Sequence, residues 1–106
     1  MPSANRIVIW SADAEEDLFQ IWRYLSYKAS LPVADRTTRK IRLTCERLRR
    51  WPFSGRDRSE VFPGIRSVVS NPHVIFYRIG SPDIEIVRVL HGRRDIEAIF
   101  EARPTP

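Results

Sequence analysis

Residues 65–90 contain three short stretches rich in β-branched and aromatic residues, with only short turn sequences between them. The stretches are IRSVVS (65–70), HVIFYRI (73–79) and IEIVRVL (84–90), and they are separated by residues 71–72 and 80–83. Turns this short, built from Asn, Pro and Gly, join neighbouring strands as antiparallel hairpins. The second and third stretches are apolar on most positions of both faces, which is typical of central strands covered on both sides. The sequence therefore predicts an antiparallel sheet with a buried centre.

Two amphipathic helices precede these strands. The first helical stripe consists of Ala14, Leu18, Ile21 and Leu25. Ser11 lies just before this stripe and is a good N-cap, so we predict a first helix over residues 12–28. Pro32 suits the first position of a second helix, and apolar residues at spacings of four and three extend that helix to about Arg50. Two such helices joined by a short loop pack antiparallel as a hairpin.

The remaining segments complete the order of elements. RIVIW (6–10) is typical of a first strand, whereas residues 51–64 contain too much Pro and Gly for regular structure over most of their length. RRDIEAIF (93–100) predicts a short terminal helix that offers three apolar side chains to the core. The order is β-α-α-β-β-β-α. We therefore predict one α+β domain over residues 1–106, with a helix hairpin packed on a curved antiparallel sheet.

Composition excludes several classes of protein. No stretch approaches the roughly 20 consecutive apolar residues of a membrane span, and no secretory signal precedes the first strand, so we expect a cytoplasmic protein. The lone Cys45 excludes an internal disulfide. No spacing of His, Cys and carboxylates resembles a metal site, and no phosphate-binding glycine loop is present. We therefore expect no metal, no cofactor and no small-molecule ligand.

Positive charge is concentrated in the middle of the chain. The net charge is +5, and the segment from Arg36 to Arg66 holds ten basic residues against three acids. The first helix is instead acidic, with four acids against Arg23 and Lys28. This asymmetry favours a polyanionic partner, either nucleic acid or an acidic protein segment. The alternative is a solvated basic face without a partner.

Several segments together resemble the ParE toxins of the RelE/ParE superfamily. They are ADAEEDLFQIWRYL in the first helix, RRWPFSGR after the second helix, and GIRSVV, HVIFYRI and IEIVRVLHGRRDI in the strands. The resemblance extends from Arg6 to Phe100, and its most specific part is the last strand followed by His-Gly-Arg-Arg-Asp. It implies a bacterial type II toxin that inhibits DNA gyrase by binding and is neutralised by a ParD-like antitoxin. RelE-like relatives of the same fold cut messenger RNA on the ribosome, so the activity has to be argued from the site.

A ribonuclease needs a base, an acid and cations around the reacting phosphate. In that interpretation His91 is the base, and Arg66, Arg78 and Arg88, one on each of three strands, gather around the phosphate. In the structural alternative, the arginines extend into solvent or pair with nearby acids such as Glu85, and His91 is a hydrogen-bonded turn residue.

The chain also departs from the ribonuclease pattern. The RelE-like ribonucleases that look most active carry a tyrosine, or a histidine and a tyrosine, near the chain end, together with lysines in the central loop. Here the last tyrosine is Tyr77, within a strand, and the lysines are Lys28 and Lys40, both on helices. We therefore predict a ParE-like gyrase inhibitor with no catalytic residues. The alternatives are a RelE-like ribosome-dependent ribonuclease, and a degenerate toxin that only binds its antitoxin.

Two surfaces are candidates for binding. Phe19 and Leu43 lie off the core stripes and Trp22 lies at the margin of its stripe, so we predict that the three form a groove for an antitoxin helix with acidic flanks. The alternative is that they are isolated exposed apolar residues without a partner. Arg93 and Arg94 are placed at the start of the terminal helix, where cations are unfavourable, and we predict that they reach outward to the target. Gly92 before them is expected to adopt a backbone angle that other residues resist.

Overall fold

The computed structural model describes residues 6–102. Within them the chain forms eight elements: β1 Val8–Trp10, α1 Ala12–Lys28, α2 Leu31–Arg47, β2 Arg56–Asp57, β3 Arg66–Ser70, β4 His73–Ile79, β5 Ile84–His91 and α3 Ile96–Glu101. The α+β class and the helix hairpin are confirmed. The order differs from the predicted one only by the short β2, which lies in the segment where the sequence favoured little regular structure.

The strands form one mixed sheet in the order β1-β5-β4-β3-β2. The pairs from β2 to β5 are antiparallel, as predicted for β3, β4 and β5, and the register between β4 and β5 shifts at Phe76/Tyr77. However, β1 pairs parallel with β5, so the sheet is not antiparallel throughout. The helix hairpin and the other strands connect β1 to β5, so no tight turn dictates the relative direction of this pair.

Capping residues define where the two long helices begin. Ser11 Oγ accepts a hydrogen bond from Ala14 N at 3.0 Å, so α1 begins at the predicted residue. Ser30 Oγ caps α2 in the same way, which makes Pro32 the second helical residue and not the first. The α-helix also ends earlier than the predicted Arg50, because residues 48–50 form tighter turns with backbone bonds to the third preceding residue.

Each face of the sheet has its own buried cluster. Alternation along β4 sends Ile75 and Tyr77 to one face and Phe76 to the other. The first cluster lies under the hairpin and includes Leu18 and Ile41 from the helices; we call it the helix-face core. The second cluster, which we call the α3-face core, consists of Ile65, Phe76, Val87, Leu90 and Phe100.

The turn before α3 differs from its prediction in two ways. The helix begins at Ile96, with the Asp95 side chain accepting a hydrogen bond from Ala98 N, so Arg93 and Arg94 lie in the preceding turn and not in the helix. Gly92 does not have a positive φ; among residues 6–102 only Gly64 does. The predicted backbone constraint at Gly92 is therefore wrong. A Cβ on Gly92 would lie 3.4 Å from the Pro72 carbonyl oxygen.

None of the helices in residues 6–102 is long and apolar enough to cross a membrane.

Candidate functional site

The three strand arginines do not converge on one point. Arg78 forms an ion pair with Glu85 across the β4–β5 ladder. Arg66 donates hydrogen bonds to the carbonyl oxygens of Phe53 and Gly55. Each of these guanidinium groups is therefore engaged in a separate structural contact.

The third strand arginine, Arg88, is held by the first helix. Its Nε and Nη2 donate to the two carboxylate oxygens of Asp17 at 2.7 and 2.8 Å, and both side chains are mostly buried. Asp17 also accepts a hydrogen bond from Val89 N at 2.9 Å. The hydrogen bonds to Asp17 raise the pKa of Arg88 above its ordinary value. This bidentate pair joins α1 to β5 and leaves the guanidinium little freedom to contact a substrate.

His91 lies beside a second histidine. His73 and His91 are cross-strand partners, and their rings meet edge to face with centroids 5.7 Å apart. His91 Nδ1 accepts a hydrogen bond from Arg93 N at 3.1 Å, so one ring nitrogen is occupied by the backbone of the turn. None of the described contacts of Arg66, Arg78 or Arg88 involves His91.

His73 is the more buried of the pair. Its exposed fraction is 7%, and its Nδ1 has no hydrogen-bond partner among residues 6–102. Burial lowers the pKa of His73, and the neighbouring His91 lowers it further. His73 therefore favours the neutral state and adds no positive charge to this part of the sheet.

A second candidate site lies on the outer face of the hairpin. The groove has a volume of about 380 Å³ and is lined by Asp35, Thr38, Arg39, Arg42, Leu43 and Glu46; we call it the hairpin groove. Leu43 is 55% exposed in this groove, within a rim of mixed charge. An apolar anchor inside a mixed polar rim suits an amphipathic helix with complementary charges.

Phe19 and Trp22 lie beside this groove on α1. Two contacts join the helices there: Trp22 Nε1 donates to Asp35 at 2.8 Å, and Arg42 pairs with Glu15 at 3.2 Å. Phe19 lies between these two contacts along α1, stacks on Trp22 with ring centroids 6.4 Å apart, and is 52% exposed. The structure therefore brings Phe19, Trp22 and the groove that contains Leu43 onto one side of the hairpin.

Arg93 and Arg94 form a third exposed feature. Both lie in the turn between β5 and α3. Their side chains have no hydrogen bond or ion pair within residues 6–102, and Arg94 N is bonded to the His91 carbonyl oxygen at 3.0 Å. The backbone of the turn is thus fixed while both guanidinium groups are available to a partner.

Asp17 was not among the residues predicted to form a site. Its spacing from Ala14, Leu18 and Ile21 puts it on the core-facing stripe of α1, and an acid at such a position is a signal of a buried partner. That signal was available in the sequence, but it does not identify Arg88 as the partner.

Comparison with known proteins agrees with this architecture. Residues 8–96 match the family described as ParE toxin of type II toxin-antitoxin system, parDE. The chain is 32% identical over 91 residues to Toxin ParE3 of Caulobacter vibrioides, covering 86% of this chain and 91% of that protein. It is 32% identical over 88 residues to Toxin ParE1 of Mycobacterium tuberculosis, covering 82% and 90%.

A solved structure shares the fold. The chain matches a structure titled "Chromosomal ParDE TA system from P. aeruginosa" with a TM-score of 0.73 and 21% identity, over 84% of this chain and 98% of the other. The family match and the two relatives each extend over most of the chain. The chain therefore belongs to the ParE toxin family of type II toxin–antitoxin systems.

Proposed function

We propose that this ParE-type toxin inhibits DNA gyrase by binding it, without catalytic chemistry of its own, as a single cytoplasmic domain neutralised by a ParD-like antitoxin. The observation that carries the proposal is the engagement of the strand arginines. Arg88 is held by Asp17, Arg78 by Glu85, and Arg66 by backbone carbonyl oxygens. RNA cleavage would need these cations around one phosphate, whereas a binding toxin needs only a rigid surface.

The turn at Arg93 and Arg94 is the surface we assign to the target. Two exposed guanidinium groups next to each other suit an acidic patch or a carboxylate pair on the partner. Their backbone is held by the bond from Arg94 N to His91, so little ordering is required when the target binds.

The hairpin groove, with Phe19 and Trp22 beside it, is the surface we assign to the antitoxin. An amphipathic helix would insert apolar side chains between Phe19 and Leu43 and would place acidic side chains against Arg39. Apolar anchors would supply most of the binding energy, and charge would mainly raise the association rate.

The target assignment is tested by an arginine pair and its matched control. The variant Arg93→Ala/Arg94→Ala should fold normally and lose most of its inhibition of gyrase supercoiling. The control Arg23→Ala/Arg36→Ala removes two exposed arginines from the helices and should inhibit like the wild type. A parallel assay of messenger RNA cleavage in a translating extract decides between the activities. Clear transcript cutting with unimpaired supercoiling contradicts the proposal.

The antitoxin assignment is tested by titration of purified partners. Phe19→Ala should weaken antitoxin binding by about 1–3 kcal/mol, because an exposed aromatic anchor is lost without damage to the core. Tyr27→Ala removes a ring that is 83% exposed on the same helix and should bind like the wild type. Equal binding by Phe19→Ala and the wild type would place the antitoxin elsewhere.

A further inference from the structure

The segment after α2 exposes two aromatic rings that neither proposed surface uses. Trp51 is 60% exposed and Phe53 is 70% exposed. They flank Pro52 in a turn closed by a hydrogen bond from Ser54 N to the Trp51 carbonyl oxygen at 3.1 Å. Pro52 occupies the second position of this turn, where its fixed φ is favourable. Residues 51–58, which we call the basic loop, therefore present their rings from a defined turn.

The backbone of the basic loop is held from beneath by buried groups. The Tyr77 hydroxyl, on a fully buried side chain, donates to the Pro52 carbonyl oxygen at 2.6 Å and accepts from Gly55 N at 3.1 Å. Arg66 donates to the carbonyl oxygens of Phe53 and Gly55. A Cβ on Gly55 would lie 2.6 Å from the Ser67 carbonyl oxygen, so the loop packs closely on the sheet. The rings are thus exposed on a preorganised support.

Positive charge surrounds these rings. Residues 47–58 contain five arginines against Asp57. Among residues 6–102, the guanidinium groups of Arg47, Arg50 and Arg56 have no hydrogen bond or ion pair. The Arg66 guanidinium lies over the Phe53 ring, 5.2 Å from its centroid. The basic loop and the residues just before it, 47–50, therefore combine flat apolar surfaces with unpaired cations that can contact anions.

We propose that the basic loop binds single-stranded nucleic acid, with bases stacked on Trp51 and Phe53 and phosphates contacted by the surrounding arginines. Unpaired bases offer ring faces for stacking, and the sugar–phosphate backbone supplies a regular row of anions. A duplex hides the faces of its bases. An acidic peptide carries negative charge but does not offer a flat ring for stacking at every residue. This binding surface is distinct from the hairpin groove and from the turn at Arg93 and Arg94.

Fluorescence anisotropy with the full chain tests the proposal. The probes are labelled oligothymidine and oligouridine of about 10 nucleotides, within the site size of a small single-strand binding fold. Trp51→Ala and Phe53→Ala should each weaken binding about 10-fold, the loss expected when one stacked base is released. Tyr27→Ala, which removes an exposed ring elsewhere, should bind like the wild type. Thermal melting of each variant establishes that it is folded.

Two further measurements separate stacking from charge attraction alone. Arg50→Ala/Arg56→Ala should reduce the slope of log affinity against log salt by about 1.4, because each lost phosphate contact removes roughly 0.7. A duplex of the same sequence should bind more weakly than the single strand. Similar affinity for DNA and RNA, or preference for either sugar, supports the proposal as long as both ring variants bind more weakly.

Three results overturn the proposal. One is unchanged binding by both ring variants while the arginine variant binds more weakly, which indicates charge attraction only. Another is duplex binding as tight as single-strand binding. The last is no measurable binding of either oligonucleotide at low salt by the folded wild-type chain.

Discussion

The two faces of the sheet are covered by very different amounts of chain. The helix-face core lies under α1 and α2, each 17 residues long. The α3-face core is covered by the six-residue α3 and the segment before β3. Phe100 contacts Phe62 and Phe76 there, with ring centroids 6.2 and 5.1 Å apart. One face is therefore stabilised by many side chains on two helices, and the other depends strongly on one ring.

This difference bears on where the molecule can change without unfolding. The hairpin groove lies on the two helices that cover the helix-face core. The turn at Arg93 and Arg94 instead leads into α3, the short helix that covers the α3-face core. Regions with few buried contacts open at lower free energy than the rest of a domain. We expect the α3 side to be the less stable part of this toxin.

Phe100→Ala should have the largest effect. Phe100 is 4% exposed, and loss of a buried phenylalanine ring lowers the free energy of unfolding by about 3–5 kcal/mol. Because α3 is short, we expect the loss to appear first as faster hydrogen exchange in α3, for example at Ile99 N, which is bonded to Asp95. Urea unfolding and hydrogen exchange measure the two quantities.

Ile41→Ala is the matched core variant on the helix face. Ile41 is fully buried, and its truncation should lower the free energy of unfolding by about 2–5 kcal/mol. Its effect on hydrogen exchange should spread over α1, α2 and the sheet together. If Phe100→Ala also speeds exchange equally in all elements, the two faces open as one unit and the proposed contrast between them is wrong.

Asp17→Ala should come next, at about 2 kcal/mol, because a buried donor left without its acceptor costs roughly 1–3 kcal/mol. The substitution leaves the Arg88 guanidinium and Val89 N without their carboxylate partner in a mostly buried place. The control Glu85→Ala breaks the Arg78 ion pair, whose side chains are 56% and 35% exposed, and should cost less than about 1 kcal/mol. Denaturant unfolding of the two variants makes the comparison. Equal losses of unfolding free energy in the two variants would mean that burial does not make the Asp17–Arg88 pair more stabilising than the Arg78–Glu85 pair.

Features governed by near neighbours along the chain were predictable from the sequence. Ser11 indicated the start of α1, and the short turns indicated the antiparallel ladder from β3 to β5. The pairing of Arg78 with Glu85 follows from that ladder, because the two residues are directly opposite each other. In these cases the interacting groups are close in sequence, so propensity and spacing contain the necessary information.

Features that depend on distant parts of the chain were not predictable. Asp17 and Arg88 are 71 residues apart, whereas the sequence alone suggested nearby acids such as Glu85 as partners for the strand arginines. The parallel direction of β1 depends on how the whole hairpin packs. The burial of Tyr77 beneath the basic loop likewise follows from tertiary packing over 25 residues. Such contacts are selected by global shape complementarity, which a local pattern does not encode.

Mild acidification should destabilise the protein through His73. Burial and then the charge of His91 lower the pKa of His73 in the folded state. The unfolded chain therefore takes up a proton near the ordinary histidine pKa of about 6.5, where the folded chain does not. The stabilisation is complete above about pH 6.5 and is lost as the pH falls through that value towards the lowered pKa. Urea unfolding at about pH 7.5 and about pH 5.5 measures the loss.

His73→Gln provides the control for this pH dependence, because glutamine does not titrate. The variant should show a smaller change in unfolding free energy between the two pH values than the wild type. An unchanged pH dependence would assign the effect to other groups, and the buried His73 would then have no part in it.

His91→Ala should have the smallest effect. The substitution removes the bond from Arg93 N and one edge contact to His73, both near the surface, so the free energy of unfolding should fall by about 1 kcal/mol or less. A catalytic base would instead leave stability intact and lower activity about 100-fold or more. We expect a folded protein that still arrests growth and still binds its antitoxin, measured by induction in cells and by titration. A stable His91→Ala protein that binds antitoxin but no longer harms cells would make His91 part of the working site, and the end of β5 beside His73 would then be where the toxin acts chemically.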